Sequence, residues 1–415
     1  MFSHAKRIIV IILMACPAGV AWADRIYDGR VKTLITVAGK DWMSPPVTSL
    51  GHGETIHISF DWMSHEYKRL VYHIDHCEAD WQVSGELFES DWLQGFNDNP
   101  IDDSDISINT IYEYTHYAID IPNDRCRLKM SGNYRVRVYD EDEPDNTLLE
   151  ADFMVTENTM QVMMGITTNT DIDLNKEHQQ LTLDLDYGEE RITNPGEQIY
   201  VVVTQNNMED NKRINPQPTI RNERGLRWEH CRQLIFDGGN EYRKHEVLDL
   251  SHPTMGIDFI DWDGENFNVY PFTAKARPNY LYDEDANGSF YIRNSDNEEN
   301  DYTCDYALVH YRVEMPFMTD ADLLIDGRWA TDNDRDNYLM AYSAEDNTYN
   351  ITLLQKQGYY SYQFLARRRN GATFIPPTEG NFYQTENRYQ VYVYYKPTGG
   401  RTWRLVAYRQ AEISF

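Results

Sequence analysis

The chain has 415 residues, 41% hydrophobic and 25% charged, and a formal net charge of −29 from 38 basic against 67 acidic residues. That length exceeds what one core organises and points to two or three domains, and the composition excludes a disordered chain. A surface this acidic argues against nucleic acid or anionic lipid as partner, and leaves solubility or steering toward a basic partner as the uses of the charge.

The first residues read as an export signal. Lys6 and Arg7 precede an apolar run from Ile8 to about Val20, and Ala21-Trp22-Ala23 before Asp24 has the small-x-small pattern of a signal-peptidase site. Residues 1–23 are therefore set apart from the fold, with a mature start expected at Asp24. A second reading stays open, because Leu13-Met14-Ala15-Cys16 resembles a lipoprotein cleavage box that would leave Cys16 lipidated. No other stretch approaches the ~20 apolar residues of a spanning helix, so direct membrane insertion is not expected.

Beyond the leader, short alternating runs bounded by Gly, Pro, Asn and Asp recur to the end. Strands are predicted at 31–37, 54–60, 69–77, 112–121, 133–139, 179–186, 198–204, 304–313, 349–354, 359–366 and 388–395. Tyr alone accounts for 30 residues, which suits half-buried pleated surfaces. One short helix is predicted around 86–94, where Leu87, Trp92 and Leu93 could dock. Strands at this spacing without intervening helices predict an all-β protein of tandem immunoglobulin-like β-sandwiches. Boundaries are placed near 157, after the closing strands of a first sandwich, and near 301, after a run of eight polar residues at 294–301. The expected domains are 24–157, 158–301 and 302–415.

Four cysteines follow the leader, Cys77, Cys126, Cys231 and Cys304, too far apart for zinc ribbons or redox motifs. They are read as free buried thiols; were any pair to bridge in an oxidising compartment, Cys77 with Cys126 would be it. No constellation carries catalysis. His73, Asp75 and Cys77 face one side of a strand and His76 the other, so they do not chelate one ion. The run 283–288 matches half a calcium loop, but its twelfth position is Asn294 rather than Glu, and Asn287-Gly288 reads as a tight turn. The run 332–336 lacks the central Gly. There is no phosphate loop and no nucleophile elbow, and His52, His57, His65 and His116 show no triad signature. No enzyme, metal or cofactor is expected, and no partner-binding residues are readable. The eight tryptophans after the leader are read mainly as packing residues.

A set of fragments in fixed order carries a family resemblance. They include His76-Cys77-Glu78-Ala79-Asp80-Trp81, Leu93-Gln94-Gly95-Phe96, Tyr114-Thr115-His116-Tyr117 and Ser131-Gly132-Asn133-Tyr134, then His178-Gln179-Gln180-Leu181 and Pro216-Gln217-Pro218-Thr219-Ile220, and last Lys356-Gln357-Gly358-Tyr359-Tyr360 and Glu386-Asn387. In number, order and spacing they resemble the plug family of the type IX secretion system of Bacteroidota. The resemblance implies a soluble, monomeric periplasmic protein at the inner side of the outer membrane. It would reversibly close the periplasmic mouth of a large outer-membrane β-barrel translocon. Arg227-Trp228-Glu229-His230-Cys231 and the Asn-rich stretch 206–215 depart from the family pattern. The last domain alone also resembles early-set immunoglobulin-like modules related to glycogen-binding domains, through Asp326-Gly327-Arg328-Trp329 and Gly358-Tyr359-Tyr360. This keeps a carbohydrate-binding protein open as the alternative, with Trp329 as its platform residue.

Overall fold

Leu181, Leu183 and Leu185 alternate with polar residues along the strand His178–Asp186, and all three are fully buried. The same period-two logic builds the rest, because successive side chains of a strand point to opposite faces. The computed structural model describes residues 24–331 and 335–414. The leader expected over 1–23, with Cys16, lies outside the described residues, as do positions 332–334. Strands make up 47% of the protein and helix 5%, arranged in antiparallel sheets that pack as β-sandwiches. Each predicted run is found as a strand, with ends shifted by up to three residues; the helix predicted around 86–94 is a single turn, Glu89–Trp92, with Trp92 buried.

The first sandwich faces the sheet Thr147–Thr156, Gly132–Asp140, Leu70–Cys77 against the sheet Val31–Ala38, Ile56–Trp62, Thr115–Ile121. Phe60, Trp62, Tyr134, Val136 and Phe153 fill the space between them. In the second, the sheet around His178–Asp186 and Gln161–Thr167 packs on a sheet in which Ile199–Gln205 pairs with Arg388–Tyr395, which pairs in turn with Arg404–Glu412.

That pairing corrects the expected tandem order and the boundary at 301. The chain leaves the second sandwich after Ile235–Asp237, builds the whole third sandwich, and returns to complete the second. The third takes Arg243–Val247, Ile257–Trp262, Phe267–Pro271 and Phe290–Ile292 from the expected middle domain and unites them with Tyr306–Glu314, Thr348–Lys356 and Gly358–Arg368. The polar run 294–301 is a loop within this inserted sandwich, leading into the helical turn Asn300–Thr303. A run of polar residues marks exposure, and exposure does not say which core the flanking strands join.

Lys356-Gln357-Gly358 is a crossing rather than the expected turn. Thr348–Lys356 and Gly358–Arg368 lie in opposite sheets, with Gln357 as the only break. Gly358 pairs with both Val247 and Ile292, and a Cβ there would come within 2.3 Å of the Tyr291 carbonyl oxygen. Gly358→Val is expected to destabilise the third sandwich by at least about 2 kcal/mol, because backbone cannot move aside cheaply. A urea melt matching the parent would contradict it.

Candidate functional site

The residues singled out for chemistry are dispersed by the fold. His73 lies 3.4 Å from the Asp75 carboxylate and bonds the Asp98 carboxylate through Nδ1 at 2.7 Å on the outer face, and these two acceptors, Asp75 first, raise its pKa. His76 turns inward, bonding the Ser84 hydroxyl at 2.8 Å and packing edge-on against Tyr134, and burial depresses its pKa. Cys77, Cys126, Cys231 and Cys304 are all free and buried. Burial pushes the Cys77 thiol up to about 12, which removes thiolate character. Among the described residues, no group of three or more His, Cys, Asp or Glu side chains is placed to hold a metal ion. Asn287 and Gly288 both take positive φ, and Ser289 N–H donates to the Ala286 carbonyl, so 286–289 is a tight turn.

Trp329 is buried, 9% exposed, and its indole N–H donates to the Ser361 carbonyl at 3.1 Å. It packs on Tyr311, Tyr338 and Tyr360 and offers no ring face to a sugar, so the platform role is corrected. The reason is the inserted third sandwich, whose core closes over the indole. Of the eight tryptophans among the described residues only Trp262 is exposed.

What the fold does assemble are polar seams between sandwiches. Asp61 of the first sandwich receives Lys356 Nζ (2.7 Å) and Tyr306 O–H (2.6 Å) from the third, and pairs with His116 at 2.7 Å. The Asp61 and Lys356 side chains are each 1% exposed. Burial alone would raise the Asp61 pKa, but Lys356 and His116 more than offset it and the net shift is downward. The Asp305 carboxylate accepts the backbone N–H groups of Ile111 and Tyr112 across the same seam. Between first and second sandwiches, Trp81, Met154, Tyr392, Tyr394 and Leu405 make an apolar cluster, and Tyr394 O–H donates to Asn133 at 2.9 Å. Between second and third, Gln179 donates to the Tyr383 and Thr385 carbonyls on the returning chain, while Glu379 of that segment holds Arg243 at 3.0 Å and also Arg277. The partners joined across two sandwiches were not readable beforehand, since Asp61 lies 295 residues from Lys356, Asn133 261 from Tyr394 and Gln179 204 from Tyr383.

One surface stands apart. The hairpin Ile257–Trp262 with Phe267–Pro271 lies at the edge of its sheet. Phe259 stacks on Tyr270 at 4.2 Å, Tyr270 stacks on His310 at 4.5 Å, and Trp262 tilts onto Phe267 at 4.8 Å. Phe259 and Trp262 remain 48% and 46% exposed, with Asp258, Asp261, Asp263 and Glu265 around them. The alternation of aromatic and acidic residues joins contact area to negative charge, and the unpaired edge adds free backbone donors and acceptors. The rings stack on each other, so few ring faces are left for a sugar.

Residues 31–157 match the family model described as type 9 secretion system plug protein 1st domain. Among solved structures, the chain is similar to the crystal structure of a hypothetical protein from Parabacteroides merdae ATCC 43184. The two share 34% identity with a TM-score of 0.92, over 95% of this chain and 100% of that one. No curated protein matches.

Proposed function

We propose that this chain, which belongs to the type IX secretion system plug family, is a monomeric periplasmic protein that reversibly caps the periplasmic mouth of the system's large outer-membrane β-barrel and performs no chemistry of its own. The observation that carries the reading is mechanical. Buried links such as Asp61 with Lys356 and Tyr306, and Asn133 with Tyr394, tie three sandwiches into one body. A wide pore is sealed by a cap that does not flex open, and breaking a buried polar link costs far more than breaking an exposed one. The nested chain path adds to this stiffness, because the third sandwich is held at both of its ends. A cap must also leave, which suits a wet interface with a few aromatic anchors. Phe259 and Trp262 on the acidic hairpin are the anchors this reading assigns to the barrel rim. The charge of −29 makes the contact sensitive to salt.

A strain lacking the gene but keeping the translocon is expected to admit large antibiotics more readily. Complementation with Phe259→Ser/Trp262→Ser should fail to restore the barrier and should capture less of the barrel from solubilised membranes. The purified variant should keep its melting temperature, since both side chains are exposed. Unchanged permeability on deletion, together with no co-purifying large barrel, would overturn the assignment.

A further inference from the structure

Three segments far apart in sequence come together where the first and third sandwiches meet: 101–115 of the first, and 257–271 and 294–305 of the third. The Ile108 N–H donates to the Tyr302 carbonyl at 2.9 Å, the Asp305 carboxylate accepts the Ile111 N–H at 2.6 Å, and the Tyr112 hydroxyl donates to Asn266. None of the three contains a Lys or Arg, and together they hold thirteen Asp and Glu residues. Apolar side chains stand among these charges. Ile106, Ile108 and Ile111 of the first sandwich are 56%, 49% and 44% exposed, as open as Phe259 and Trp262 across the seam. Asp103–Ile106 and Ile257–Trp262 are each the outermost strand of their sheet.

The charge of this face is left unneutralised. Among the described residues no Lys, Arg or His pairs with the exposed carboxylates of Asp103, Asp105, Asp258, Asp261, Glu265 and Asp301. Arg125 meets Asp102 at the margin, and Lys356 beneath is buried against Asp61. Elsewhere exposed carboxylates find cations, as Glu141 does in Arg69 and Asp91 in Arg401. The phenols of the seam feel the field. Burial, and then the charges of Asp305, Asp263 and Glu265, push the Tyr112 phenol up; the Tyr302 phenol is raised first by its bond to Glu299 and further by the charges of Asp105 and Asp301. Like charges held together repel, and exposed isoleucines forgo burial, so the free protein bears both costs. A partner that presents basic groups between apolar ones removes both together. An anionic lipid surface or a nucleic acid adds to the repulsion instead.

We propose that this face, spanning both sandwiches, is the docking surface of the protein, and that its occupant is an extended protein segment in which Lys or Arg alternates with apolar residues. The inference rests on the capping reading for the partner's identity, where that segment belongs to the barrel rim. It adds to that reading the first sandwich and the basic chemistry of the partner. An extended segment suits the two outermost strands, whose free backbone groups it can pair. The isoleucines of the first sandwich and the aromatic pair of the hairpin are engaged together, so docking also holds the two sandwiches to each other.

The test uses the whole mature chain and two synthetic peptides of equal length, one alternating Lys with Leu and one alternating Glu with Leu. Binding is followed by tryptophan fluorescence, since Trp262 is exposed on this face. The Lys peptide is expected to bind and to be released by salt near about 0.5 M, and the Glu peptide is not expected to bind. Asp103→Asn/Asp105→Asn on the first sandwich and Asp258→Asn/Asp261→Asn on the third should each weaken binding about fivefold, and Ile108→Ser/Ile111→Ser about tenfold. Asp142→Asn/Asp145→Asn removes the same charge from the exposed turn 140–146 and should change binding less than about twofold. All four variants should keep the parent's melting temperature, because the replaced side chains are exposed. Equal weakening by the control pair would show an effect of net charge alone and overturn the proposal, as would unchanged binding by the first-sandwich variants. In cells the two readings separate. An unchanged barrier on deletion removes the barrel as partner, and the peptide measurement still decides the face. A barrier restored by Asp103→Asn/Asp105→Asn and by Ile108→Ser/Ile111→Ser, but not by Phe259→Ser/Trp262→Ser, would leave the cap standing and overturn this inference.

Discussion

Lys356→Met is expected to cost about 3–5 kcal/mol, a large share of the ~5–15 kcal/mol that holds a typical protein folded. Lys356 Nζ sits 2.7 Å from Asp61, donates to the Asp301 carbonyl at 2.6 Å, and lies 4.1 Å from the centre of the Tyr114 ring. Removing the ammonium leaves the Asp61 carboxylate buried, with His116 and the Tyr306 hydroxyl beside it. The double variant Lys356→Met/Asp61→Leu should recover a good part of the loss, because no buried charge is then left unpaired. The pair also sets an acid limit. Asp61 has a depressed pKa in the folded state, so its contribution is present above the ordinary carboxylate range and is lost as pH falls through the folded value. Urea unfolding followed by tryptophan fluorescence measures all three; a loss under about 1 kcal/mol for Lys356→Met would show that the seam does not hold the sandwiches together.

His245→Phe is expected to make the protein more stable than its parent below about pH 5. His245 is fully buried among Tyr311, Tyr360 and Tyr362, its Nε2 is 3.2 Å from the Tyr311 hydroxyl, and its Nδ1 has no partner among the described residues. Burial pushes its pKa down to about 3, while an unfolded histidine titrates near 6.5. Between those values the unfolded chain binds the extra proton, so stability falls as pH drops through that window, by roughly 3–5 kcal/mol in all. His76, also depressed by burial, acts in the same direction. Phenylalanine keeps the ring and removes the titration, and Tyr311 still donates to Gln355 at 2.7 Å. Melts from pH 7 to pH 4 should therefore show a shallower fall for the variant; parallel curves would mean that His245 does not titrate across folding.

Individual strands were legible in the sequence because their signal is local. Leu181, Leu183 and Leu185 report a buried face without reference to anything distant, and the inward turn of His76 away from His73 follows from the pleat alone. The all-β class and the family resemblance carried by ordered fragments such as Ser131-Gly132-Asn133-Tyr134 were likewise within reach. Partnership was not. Ile199–Gln205 pairs with Arg388–Tyr395 across nearly two hundred residues, and period-two alternation is the same whichever edge a strand joins. Hence the third sandwich was expected to follow the second, whereas it is inserted within it, and Trp329, with the composition of an exposed platform, lies under that sandwich's core packing. The seams were hidden for the same reason. Asp61, Tyr306 and Lys356 are ordinary residues in their local sequence, and only the packing of two sandwiches removes water around them and turns three polar side chains into a structural lock.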